Sequence, residues 1–167
     1  MAPVTLAFIG DVMLGRLVDR EIPLKPAEAF WGNVLPVLRS TDAVFANLEC
    51  AISEHRRRWS RTPKVFHFGA GPDATAVLGA ANVRYVSLAN NHVLDFEEEG
   101  LFDTLRHLDA ADIRHSGAGR NLAEAMAPAV VEVAGLRIGV IALTDNEPPF
   151  AADGNRPGTY FVSLRDV

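Results

Sequence analysis

Three short polar clusters hold the residues whose types could do chemistry: Gly10-Asp11, Glu49, and Ala89-Asn90-Asn91-His92. Two carboxylates, an amide oxygen and an imidazole together make a donor set for a hard or borderline divalent ion such as Mn²⁺, Zn²⁺ or Fe²⁺. Singly, each signal is weak. An Asp or Glu at a strand end is more often a loop residue or helix cap, and Asn-Asn pairs also serve turns. The run 90–92 says more, because three consecutive side chains rich in lone pairs follow an apolar stretch. Asp95, three residues on, has two open readings: it fixes the His92 tautomer as a hydrogen-bond partner, or it caps the next helix. Arg16 is a candidate for an anionic substrate, since a planar guanidinium fork matches carboxylate and phosphate. Asn90 is a candidate substrate contact, and His67, in Val-Phe-His-Phe, reads first as a packed histidine on a strand and second as a substrate contact.

The clusters are useful only if the fold brings them together. Apolar runs of strand length alternate with helix-like segments, the pattern of a layered α/β domain. Runs 4–9, 43–48 and 83–88 end at Asp11, at Glu49 and at 89–92, so three buried strands each deliver polar groups at their C-terminal edge. Ligand sites of open α/β sheets gather at that edge. Helices are predicted over 26–38, with Pro36 near the end, over 74–81 after Pro72-Asp73, and over 100–109, where Leu101, Leu105 and Leu108 share a face. A strand is expected at 113–116 and a turn at 117–119, then a short helix over 121–126. Runs 129–133 and 136–143 flank Ala134-Gly135 as a hairpin, which makes the expected sheet arrangement mixed. Residues 145–158 read as a loop, and 159–164 as the start of another strand.

At 167 residues with 49% hydrophobic content, the chain fits one domain with a real core. A formal net charge of -5 argues against nucleic acid or anionic membrane as a partner. The basic run His55-Arg56-Arg57-Arg58 reads first as a solvated loop and second as a grip on a phosphate or carboxylate polymer. The single cysteine, Cys50, excludes an internal disulfide framework. The N-terminal apolar run is too short for a membrane span and lacks the basic start of a signal peptide. The sequence as it stands predicts a cytoplasmic protein; a preceding leader would make it membrane-associated or extracytoplasmic.

The clusters also carry a resemblance. Phe-Ile-Gly-Asp-Val-Met-Leu-Gly-Arg at 8–16, Ala-Asn-Leu-Glu at 46–49 and Ser-Leu-Ala-Asn-Asn-His-Val-Leu-Asp-Phe at 87–96 resemble successive motifs of the bacterial CapA family of capsule and poly-gamma-glutamate synthesis. Gly117 to Asn121 with Glu124-Ala125 is similar to the next segment. Order and spacing agree from residue 6 to about 164. The family is related to calcineurin-like metallophosphoesterases, so the resemblance implies an α/β/β/α metallophosphatase-like sandwich with mixed sheets. It further implies that Asp11 is the first metal ligand, Glu49 the carboxylate bridging two metals, Asn91 an amide ligand and His92, beside it, the catalytic general acid or transition-state stabiliser. Such a site activates a water against phosphorus or a carbonyl.

The departures shape the functional expectation. Met13 stands where the general phosphoesterase pattern has a histidine ligand. The family's His-Trp-Gly and Gly-His-His-Pro-His segments do not occur in these residues. The sandwich is therefore expected to be incomplete at its C-terminal side, with open strand edges through which the chain could oligomerise. The expected function is a metal-dependent hydrolase on a phosphoester or anionic polymer, with weakly bound or absent metal and a catalytic role conditional on the missing histidines. The alternative is a non-catalytic accessory protein that keeps the fold and binds an anionic polymer or a membrane synthase complex.

Overall fold

The computed structural model describes residues 3–165. The first strand, β1, is Leu6–Val12, followed by a short helix α1, Leu17–Glu21. After three turns of 3₁₀ helix comes α2, Leu35–Arg39, then the strands β2, Ala43–Leu48, β3, Ala51–Ile52, and β4, Gly69–Ala70. Helix α3, Ala74–Ala80, leads to β5, Val83–Ser87, and α4, Glu97–Ala110, leads to β6, Arg114–Ser116. The remainder is β7, Ala118–Gly119, α5, Leu122–Met126, the hairpin β8, Ala129–Val133, with β9, Leu136–Val140, and finally β10, Gly158–Thr159.

The principal sheet has the order β1-β2-β5-β6, with every pair parallel. Strand β2 lies inside it and is apolar on both faces, which explains its unbroken run Ala-Val-Phe-Ala. Val44 and Leu48 join the larger core with Val77, Leu78, Leu101 and Leu108 of α3 and α4. Phe45 and Tyr85 join a smaller core on the other face with Val131 and Val133 of the hairpin. The layers thus read helices, parallel sheet, antiparallel hairpin. The expected mixture of pairings is present but segregated: antiparallel pairing occurs in β8 with β9 and in β7 with β10, not in the main sheet. Strand β1 is an outer strand, with Phe8 74% exposed.

Four local expectations are corrected. Segment 26–38 is not one helix: 3₁₀ turns occupy Ala27–Phe30 and Gly32–Val34, and Pro36 opens α2 instead of closing a longer helix. Gly32 at φ +51° breaks the helical path, and proline suits a first turn because its missing N–H has no partner there. Residues 65–68 around His67 form no strand, and only Gly158–Thr159 pairs in the expected run 159–164, beyond an isolated bridge at Phe161. Gly10 does not terminate β1; it lies inside the strand, where the register with β2 shifts between Phe8 and Asp11. Such a bulge re-aims the following side chain. Among the described residues no helix is long and apolar enough to cross a membrane.

Gly117 shows how closely the loops at the strand ends pack. Its φ is +92°, and a Cβ there would lie 2.6 Å from Ala89 Cβ and 2.9 Å from Ala89 N, at the root of the 89–92 loop. Gly117→Ala is expected to cost about 2 kcal/mol or more through left-handed backbone strain and overpacking. A thermal melt identical to wild type would refute this account of the position.

Candidate metal and acid-base site

The parallel register sets Asp11 on β1 beside Asn47 on β2. Asn47 stands between the two carboxylates: its Nδ2 donates to Asp11 Oδ1 at 2.8 Å and to Glu49 Oε2 at 2.5 Å. Asn47 Oδ1 in turn accepts from Asn90 Nδ2 at 2.9 Å, which ties the end of β2 to the loop after β5. The polar line continues through Glu49 Oε1 to His92 Nε2, 3.7 Å away. The fold therefore brings Asp11, Glu49 and the 90–92 loop to one edge of the sheet.

His92 is buried and held from behind. Its Nδ1 lies 2.6 Å from Oδ2 of the fully buried Asp95, which also accepts the Phe68 N–H at 2.7 Å. A carboxylate oxygen accepts, so the Nδ1–H donates to it and the free lone pair lies on Nε2. Asn91 Nδ2 contacts that nitrogen at 3.2 Å. The Phe68 ring stacks on the imidazole with centroids 4.0 Å apart. Of the two readings of Asp95, the tautomer-fixing one describes its contacts; the helix N-cap is Phe96, with no side-chain capping bond.

Asp95 Oδ1 has no hydrogen-bond partner, and its compensating charge is the Lys64 ammonium, 3.4 Å away. The Lys64 side chain is only 7% exposed; it also donates to Asn91 O at 2.6 Å and lies 3.5 Å from Glu147. Neither Lys64 nor Asn47 stands out as a functional residue in the sequence. Asn47 carries one signal, a polar residue inside an otherwise apolar strand. Lys64 carries none, since its burial depends on a loop folding over the strand ends.

The other candidates fall as follows. Asn90, expected to bind substrate, is buried and spends its amide on Asn47 Oδ1, Leu48 O and the His92 N–H. It thereby shapes the loop. Arg16 holds a left-handed backbone at φ +59° and carries its guanidinium over the Phe66 and Phe68 rings at 5.9 Å. His67 sits beside Phe96, with both ring nitrogens buried and without partners. Met13 turns its sulfur back onto the Gly15 N–H at 3.1 Å. His115 faces Asp109. Burial pushes the Cys50 thiol up to about 12, which removes it as a nucleophile near neutral pH.

Burial also raises the Glu49 pKa, against the opposing Asn47 hydrogen bond and nearby His92; Asp11 and Asp95 add to the rise. A carboxyl with a raised folded pKa contributes stability below its unfolded value, and that contribution is lost as pH rises through the folded one. At neutral pH the ionised Glu49 is then a cost to the fold. Glu49→Gln is expected to raise the melting temperature at pH 7, with the gain shrinking toward pH 4. A lower melting temperature at pH 7 would contradict the electrostatic reading.

Asp11, Glu49, Asn91 and His92 carry oxygen and nitrogen donors of the kinds a divalent ion takes. Among the described residues no group of three or more His, Cys, Asp or Glu side chains is gathered so as to enclose an ion.

Comparison with known proteins agrees with the motifs. The family described as bacterial capsule synthesis protein PGA_cap matches residues 5–162. The chain is 30% identical over 154 residues to the PGA biosynthesis protein CapA of Bacillus subtilis, covering 91% of this chain and 40% of that protein. It is 28% identical over 142 residues to the capsule biosynthesis protein CapA of Bacillus anthracis, covering 84% and 34%. It is 32% identical over 205 aligned positions to a probable polyglutamine synthesis accessory protein of Mycobacterium tuberculosis, covering 98% and 53%. The chain thus spans between about a third and a half of these relatives' lengths.

Proposed function

The chain belongs to the bacterial capsule synthesis protein family PGA_cap, whose fold is metallophosphatase-like, and from this premise we propose that it is a metal-dependent hydrolase-like component of capsule or poly-gamma-glutamate synthesis. Its substrate would be a phosphoester or an anionic polymer. The observation that carries this reading is the buried Asp95–His92 pair, which aims Nε2 at the Glu49 carboxylate on the edge where Asp11 also lies. A divalent ion held by Asp11, Glu49 and the Asn91 amide oxygen would acidify a bound water and offset charge on the substrate.

The chain's own residues do the rest. Asp95 keeps the Nδ1 proton in place and so keeps Nε2 facing the site. His92, once protonated at Nε2, can hand that proton to a leaving oxygen. Lys64 balances the buried Asp95 charge, and the Phe68 ring covers one face of the imidazole and keeps water off it. Asn47 and Asn90 hold the two carboxylates and the 90–92 loop at a fixed separation.

The test is metal binding by this chain, read calorimetrically with Mn²⁺ and independently of any turnover. Asp11→Asn and Glu49→Gln are each expected to weaken binding about tenfold or more, as loss of an anionic ligand should. Equal affinity in wild type and both variants would remove the assignment.

A second reading, a non-catalytic accessory protein, is favoured by the sulfur of Met13, which turns back onto the Gly15 N–H. It predicts polymer binding that is indifferent to Mn²⁺ and to His92.

A further inference from the structure

A cavity of about 630 Å³ lies where the turn into α1 meets the segment between β3 and β4, and four arginines line it: Arg16, Arg20, Arg56 and Arg58. One ion pair joins its lining residues, between Arg56 and Asp19 at 4.0 Å. Arg56 is further tied to the Ser53 carbonyl, and Asp19 accepts the Gly71 N–H at 2.6 Å. Arg16, Arg20 and Arg58 are left without an ion-pair partner among the described residues. Unpaired cations around one cavity repel each other and favour an anion placed between them. A second cavity, of about 660 Å³, shows the contrast: there Arg114 faces Asp112, Arg137 faces Glu132 and His115 faces Asp109.

The same cavity presents an open aromatic ring. Phe66 and Phe68 stack with centroids 6.4 Å apart, and the Arg16 guanidinium lies 5.9 Å from each ring. Gly15 makes this assembly possible, since a Cβ there would lie 2.9 Å from Gly69 N, next to Phe68. Arg16 itself takes a φ of +59°, a strained conformation of the kind kept at ligand sites. Phe68 has its other neighbour in His92, whereas Phe66 is 58% exposed. A ring left open to solvent beside unpaired guanidiniums is a platform on which another planar ring can stack.

We propose that this cavity binds a nucleoside di- or triphosphate, with the phosphate tail among Arg16, Arg20 and Arg58 and the base against Phe66. Guanidinium forks match phosphate oxygens two at a time. A phosphate tail gathers several negative charges within a few ångströms, which suits arginines converging from two separate segments. The cavity also has the size of a small-molecule site, for which about 300–1,000 Å³ is usual. The exposed ring separates a nucleotide from inorganic polyphosphate, which carries the charge but nothing to stack. This inference goes beyond the hydrolytic reading and requires neither a metal ion nor His92.

The experiment is calorimetric titration of the whole chain with ATP, ADP and tripolyphosphate, in a chelator so that no metal bridges ligand and protein. ATP is expected to bind about tenfold or more tightly than tripolyphosphate, the scale of one stacked base. Arg20→Glu and Arg58→Glu should each weaken both ligands about tenfold or more, the scale of a lost charge-assisted hydrogen bond. Phe66→Leu should weaken ATP several-fold and leave tripolyphosphate unchanged, and Arg137→Glu, in the paired cavity, should change neither. Arg20, Arg58 and Phe66 are exposed, so the variants are expected to fold; melting curves check this, and Arg20→Gln and Arg58→Gln replace any reversal that does not. No saturable binding of ATP, or ATP affinity untouched by both arginine variants, would overturn the site. Tripolyphosphate binding as tightly as ATP, or losing as much in Phe66→Leu, would overturn the nucleotide assignment, as would a short acidic peptide that displaces ATP at equal charge.

Discussion

Asp95→Ala is expected to lower the free energy of unfolding by about 3–5 kcal/mol, the range for removing one partner of a buried ion pair. Asp95 is fully buried, and its two oxygens face His92 Nδ1, the Phe68 N–H and the Lys64 ammonium. Removing it leaves a lysine whose side chain is 7% exposed and an amide N–H without its acceptor. Glu147, 3.5 Å from Lys64, offsets part of the loss and moves the expectation toward the lower end of that range. Against a typical domain stability of about 5–15 kcal/mol, this brings the variant close to unfolding. Urea denaturation measures it, and the double variant Lys64→Met/Asp95→Ala separates charge from packing. Removing the stranded cation should recover a substantial part of the loss. A double variant no more stable than Asp95→Ala would mean that Lys64 does not provide the compensating charge.

His92→Gln is expected to reduce Mn²⁺-dependent cleavage of an aryl phosphodiester by about 10²–10⁴-fold, the usual range for loss of a general acid or base. The imidazole has one nitrogen committed to Asp95 and the other facing Glu49, the disposition needed to pass a proton to a departing oxygen. Mn²⁺ binding should change far less than turnover in this variant, because the two carboxylates remain. Asp95→Asn should also slow turnover while keeping the volume of the side chain, since its amide no longer accepts the Nδ1 proton in the same way. If wild type shows no Mn²⁺-dependent turnover above buffer, the hydrolytic reading fails and the accessory one stands. If His92→Gln keeps full activity, the acid-base role of His92 fails with the metal assignment intact.

Much of the frame is legible in the amino-acid order. The strands Ala43–Leu48 and Val83–Ser87 and the helix Glu97–Ala110 follow from β-branched runs and from leucines at helical spacing. That Asp11, Glu49 and 90–92 lie at the C-terminal edge of one sheet follows from parallel topology alone. The segment 26–38 misled because Gly32 interrupts a residue set that is otherwise helix-compatible. His67 misled because its alternation with phenylalanines mimics a strand, whereas Asp95 captures the Phe68 N–H and holds the segment as a loop over the site.

What the sequence by itself determined is the inventory and its order: which strands end in which donors, and the family to which those motifs belong. Only the tertiary structure decided the partners. Asn47 reaches Asp11 through strand register, Lys64 meets Asp95 across a loop, and Arg16 and Arg20 meet Arg56 and Arg58 from segments far apart in the chain. The physical reason is range. Hydrophobic periodicity and turn chemistry act over a few residues, whereas the balance of a buried charge depends on whatever the finished fold places within a few ångströms of it.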